Sequence, residues 1–106
     1  MRQGYVRVAS LQEVSPGETV RVTPRRGEHV LLCNVGGSIY AVRDMCTHDG
    51  GILGFGDLKE EVIECPRHGA KFDVTTGKAV APPATAPIRT YPVRVQDGQI
   101  EVDLDA

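Results

Sequence analysis

Two short clusters in the middle of the chain concentrate its chemistry: Cys46-Thr47-His48 and Cys65-Pro66-Arg67-His68, separated by the sixteen residues from Asp49 to Glu64. Each offers one thiol and one imidazole, the ligand types that hold iron–sulfur centres, zinc or copper. Of three cysteines and three histidines in the sequence, only Cys33 and His29 lie elsewhere. A single Cys or His is ordinarily a packing residue or a solvated one. Four at this spacing point instead to a shared centre. Structural zinc sites favour Cys-x2-4-Cys spacing, and Cys-x-His is unusual for them. A Cys46–Cys65 disulfide would leave both histidines without a role and does not suit a reducing compartment.

The elements that must position these clusters are β-strands and loops. Tyr5-Val6-Arg7-Val8 alternates apolar and polar residues and predicts an edge strand. Ser10-Leu11-Gln12-Glu13 predicts one capped turn, with Glu13 reaching back to Ser10, and Ser15 to Glu18 a turn. Thr19 to Thr23 alternates again, with a break expected from Pro24 to Glu28. His29 to Val35 is apolar almost throughout and predicts a central strand. Gly36-Gly37 then joins it to Ser38–Val42 as a hairpin. Beyond Arg43 glycine-rich loops dominate, with short strands expected at 61–64 and 70–73 and an extended loop over 78–87. Thr90–Val95, a turn at 96–98 and Gln99–Leu104 predict a closing hairpin. Helix periodicity is absent, and Cys33, inside the apolar strand, is read as a packing residue. His29 is read as solvated, and so is Lys59-Glu60-Glu61.

The chain's 106 residues suffice for one domain with a modest core. A net charge of -2 without a basic stripe argues against nucleic-acid binding. No apolar run reaches membrane-spanning length, and the first residues lead into a strand pattern rather than a signal sequence. Three cysteines form no even disulfide set, so a cytoplasmic location is expected.

The pattern Cys-x-His…Cys-x2-His resembles the signature of Rieske-type [2Fe–2S] proteins, in which two histidines replace two cysteines on one iron. The likeness continues through His68-Gly69-Ala70-Lys71-Phe72-Asp73, Thr76-Gly77 and Pro82-Pro83-Ala84. The opening Val6-Arg7-Val8-Ala9 and the closing Pro92 to Val102 extend it, so it covers nearly the whole chain and is most similar to the ferredoxins of bacterial ring-hydroxylating dioxygenases. The resemblance implies an all-β Rieske fold: an antiparallel β-sandwich base (1–44 and 85–106) with an inserted cluster-binding subdomain over about 45–84. It implies one [2Fe–2S] cluster per chain, held by Cys46, His48, Cys65 and His68, with the proline run covering one side.

The implied function is a soluble, monomeric one-electron carrier rather than an enzyme. Its partners would be an NAD(P)H-dependent flavoprotein reductase and the terminal oxygenase of an aromatic-ring dioxygenase system. Two imidazoles in place of thiolates make such a centre neutral when oxidised, which eases reduction. High-potential members carry a loop disulfide where Gly51 and Arg67 stand, and sulfur-bonding hydroxyls where Ala70 and Phe72 stand. Their absence implies a midpoint of roughly −150 mV. The alternatives are the small subunit of an assimilatory nitrite reductase and, in another class, a structural zinc module that binds a partner.

Overall fold

A computed structural model describes residues 4–47 and 50–105 of the chain. Eleven strands occur in it: β1 (Tyr5–Ser10), β2 (Thr19–Arg25), β3 (Glu28–Val35), β4 (Ser38–Arg43), β5 (Leu58–Lys59), β6 (Val62–Glu64), β7 (Lys71–Asp73), β8 (Ala79–Ala81), β9 (Thr90–Tyr91), β10 (Val93–Gln96) and β11 (Gln99–Asp103). Among the described residues the only helical turns are 3₁₀ turns at Leu11–Glu13 and Leu53–Phe55. None is long and apolar enough to cross a membrane.

The strands form three antiparallel sheets, ordered β1-β11-β10, β2-β3-β4-β9 and β5-β6-β7-β8. The middle one is covered on both faces, and this explains the nearly unbroken apolar run of β3. Val30 and Leu32 point one way, into a core shared with Ala41, Tyr91, Ile100 and Val102. Leu31 and Cys33 point the other way, into a core shared with Val42, Leu53, Ile63 and Phe72. Successive strand residues face opposite sides, so a strand buried twice must be apolar at both parities. The first and last strands pair, with Tyr5 opposite Asp103 and Val6 opposite Val102.

Local turn chemistry behaves as read. The Ser10 N–H donates to Glu13 Oε1 at 2.8 Å, and the β3–β4 hairpin turns through Gly36 and Gly37, both at positive φ. The Asn34 carboxamide locks that region, accepting from Gly37 N–H and donating to Val14 O, each at 2.8 Å.

Four expectations need correction. Pro24 does not end its strand: β2 continues to Arg25 through a register shift after Val22. β2 is a sheet edge, where a residue without an N–H costs no ladder bond. Thr90–Val95 is two strands rather than one. Pro92 divides it, so β9 pairs with β4 while β10 pairs with β11 in the other sheet. Within the extended run over 78–87, Ala79–Ala81 forms β8 against β7. His29 is half-buried rather than solvated, its Nδ1 lying 2.9 Å from Thr23 Oγ1.

Candidate metal centre

The two cysteine clusters sit on loops built to one plan. The Cys46 N–H donates to Gly51 O at 2.8 Å, and Gly50 N–H returns to Cys46 O at 2.8 Å. In the second loop, Cys65 N–H donates to Ala70 O at 2.7 Å and Gly69 N–H returns to Cys65 O at 3.1 Å. Each loop thus closes on the residue four beyond its cysteine, and that residue is a glycine with φ near +75° (75° at Gly50, 76° at Gly69). This left-handed conformation costs an L-residue about 1–2 kcal/mol, which is why glycine stands there. In the sequence the histidines follow their cysteines by two and by three residues. The Cys-x3-Gly repeat in the sequence is the signal that could have announced this common frame.

Cys46 and Cys65 are each 1% exposed and belong to one apolar cluster with Leu53, Ile63, Ala70 and Phe72. His68 is exposed, as are its neighbours Pro66 and Arg67. His48 and Asp49 lie outside the described residues. Gly50, Gly51 and Ile52 of the first loop face Pro66 and Arg67 of the second across a groove that Phe55 also lines. The structure therefore brings both cysteine loops together and places His68 at their rim. All three cysteines are among the described residues, and none is joined in a disulfide. Among the described residues, no three Cys, His, Asp or Glu converge as a site for one ion.

Four contacts that sequence reasoning missed fix the loops in place. Thr47 Oγ1 donates to Ala86 O at 2.7 Å, tying the first loop to the proline run. Gly56 packs so tightly on the residue before Cys65 that a Cβ there would lie 1.8 Å from Glu64 O. Asp44, two residues before Cys46, is buried, and its Oδ1 accepts from Gly54 N–H at 2.8 Å. Its Oδ2 lies 2.8 Å from Arg21 Nε, across from β2 of the base. None of these joins residues near in sequence, so no local pattern announced them. Cys33 stays apart as a packing residue. Burial, and then the charge of Asp44, push its thiol up to about 12, so it holds no thiolate near neutrality.

Soft sulfur donors in an apolar setting, paired with an imidazole at a solvent-facing rim, fit a mixed Cys/His iron–sulfur centre. The comparisons with known proteins agree. A family model described as the Rieske [2Fe-2S] domain matches residues 4–92. The ferredoxin component of biphenyl 2,3-dioxygenase from Rhodococcus jostii (strain RHA1) is 41% identical over 99 residues, covering 93% of this chain and 92% of that protein. The Sphingomonas yanoikuyae B1 ferredoxin superposes with a TM-score of 0.88 at 37% identity, over 92% of this chain and 96% of its own. A chain from the complex of reduced oxygenase and oxidized ferredoxin in carbazole 1,9a-dioxygenase does so with a TM-score of 0.90 at 35% identity, over 95% and 94%. A match over residues 4–92, running through both cysteine loops and the proline run, makes this chain a member of the Rieske [2Fe-2S] domain family.

Proposed function

We propose that the chain carries single electrons from an NAD(P)H-dependent flavoprotein reductase to the terminal oxygenase of an aromatic-ring dioxygenase system. It would use one [2Fe–2S] centre per chain, held by Cys46, His48, Cys65 and His68. The observation that carries this reading is the pair of matched loops over one apolar cluster, cysteines inside and His68 outside. When bound, the centre supplies reversible one-electron storage.

The chain's own residues do the rest. Burial at Cys46 and Cys65 keeps the ligand sulfurs from water and from oxidants. The closed glycine turns hold both cysteine backbones rigidly, so little rearrangement accompanies a change of charge. His68, with Pro66 and Pro83 likewise exposed, offers a partner a short route to the centre. The names of the relatives support the same role: one is a dioxygenase ferredoxin component, and another comes from a complex with its oxygenase. On this reading the chain is a carrier, and the oxygenase performs the reaction. We take residues 1–106 as one domain with 45–84 as the cluster-binding part, acting as a cytoplasmic monomer.

Anaerobic purification tests the site: about two irons and two sulfides per chain, with a reduced-state EPR signal of mixed Cys/His ligation, are expected. Reconstitution with candidate reductase and oxygenase components tests the role through NADH-driven product formation. A colourless, zinc-loaded protein would overturn the site. A brown-red protein that serves a nitrite reductase but no oxygenase would overturn the role.

A further inference from the structure

Arg21 sits on β2, and its guanidinium lies against a carboxylate that belongs to the threshold of the first cysteine loop. The Asp44 side chain is 0% exposed, whereas that of Arg21 is 38% exposed. Gly54 N–H satisfies Asp44 Oδ1, and the absence of a side chain at Gly54 leaves room for this: a Cβ there would come within 3.1 Å of Oδ2. Oδ2 lies 2.8 Å from Arg21 Nε, yet among the described residues no donor points a hydrogen bond at it. The guanidinium thus offsets the Asp44 charge across this 2.8 Å ion pair. Two residues of chain reach at most about 7 Å, so the Asp44 backbone stands within about that distance of the Cys46 backbone. In a protein interior charges interact far more strongly than in water.

We propose that Arg21 is a positioning residue for the redox centre. Its cation, held from the base sheet, offsets the buried Asp44 anion beside the first cysteine loop and raises the ease with which the centre accepts an electron. The inference rests on the electron-carrier reading above, and it assigns part of the midpoint potential to a residue twenty-three positions before Asp44. Removing a cation near the centre disfavours the added electron; removing an anion favours it. The two members of the pair must then shift the potential in opposite directions.

Protein-film voltammetry on the cluster-loaded full chain at fixed pH, with iron content measured alongside, tests this. Arg21→Met keeps most of the stem and removes the charge, so its midpoint should fall. Arg21→Lys restores the charge without the planar fork, and its midpoint should stay with the wild type. Asp44→Asn keeps an acceptor for Gly54 N–H and should raise the midpoint, and the double variant should return toward the wild type. A purely structural brace would instead lose iron or move both single variants the same way. An Arg21→Met midpoint that is unmoved or raised at full iron content overturns the proposal, and so does a lysine variant that falls as far as the methionine one. Should Asp44→Asn not fold, the two Arg21 variants decide the question. A wild-type chain that binds no iron would overturn the carrier reading itself, which iron analysis distinguishes from a failed shift.

Discussion

Placing one methyl group at Gly56 should separate the two cysteine loops. The backbone there has φ of -90°, open to any residue, so the barrier is purely steric. An added Cβ would stand 1.8 Å from Glu64 O and 2.9 Å from Glu64 C, where real contacts begin near 3.0 Å. The two segments must part by about 1.2 Å, and both contacts are backbone, which cannot rotate aside as a side chain can. Overpacking of this kind costs about 1–3 kcal/mol. Parting the segments also strains the Glu64 N–H to Asp57 O bond, 3.1 Å in the native fold, worth about 1 kcal/mol more. A sum of about 2–4 kcal/mol in a domain of this size lowers the thermal midpoint by roughly 10–25 °C. Glu64 adjoins Cys65, so iron content should fall as well. Circular dichroism melts at a fixed scan rate, with iron per chain measured on the same samples, provide the assay. Gly54→Ala is the comparison: its Cβ would meet the side chains of Asp44 and Leu31 at 3.1 and 3.3 Å, a tight fit but no backbone overlap, so a smaller fall is expected. A Gly56→Ala protein that melts within a few degrees of the wild type with its full iron would refute the close-approach argument.

The ligand assignment predicts that Ala at Cys46, His48, Cys65 or His68 abolishes or badly damages the centre, whereas Cys33→Ser keeps it; iron and sulfide analysis of each purified variant decides. Ala70→Ser and Phe72→Tyr each bring a hydroxyl to a buried position beside the second loop, and should move a midpoint of roughly −150 mV upward in voltammetry. An unmoved midpoint in both would show that neither hydroxyl reaches a ligand sulfur. Alkaline stability should decline between pH 9 and about 12. Burial, with Asp44's charge added, pushes the Cys33 thiol from 9.0 to about 12. Burial, with a 2.7 Å hydrogen bond to Glu28, pushes the Tyr91 phenol from 10.0 to about 12. Above pH 9 the unfolded chain releases protons that the folded chain retains, so the stability present below that pH is lost as pH rises through the native values. Urea titrations at stepped pH should follow this course, and a denaturation midpoint that is flat from pH 9 to 11 would count against it.

Features carried by neighbouring residues were legible before any coordinates. The Cys/His spacing pointed to the Rieske [2Fe-2S] family, and Gly36-Gly37 named the β3–β4 hairpin. The two-sided apolar run of β3 named the middle strand, because turn preference and strand alternation are set within a few residues. Partnership across the fold was not legible. Pro92 reads locally as an interruption, and only the packing of two sheets decides that β9 and β10 belong to different ones. Pro24 reads as a stop, and only the edge position of β2 makes it harmless. Gly56 looks like another loop glycine until Glu64 is brought against it, and Asp44 looks like a surface acid until burial and Arg21 give it a role. Such contacts follow from how three sheets stack, and their energies depend on distances that close only when the chain is folded. The ligand types and the carrier chemistry they suit were written in the residues themselves. Which groups brace the cysteine loops, and which charges are buried at their base, was decided by the tertiary structure, because burial turns a surface carboxylate or an ordinary glycine into a constraint.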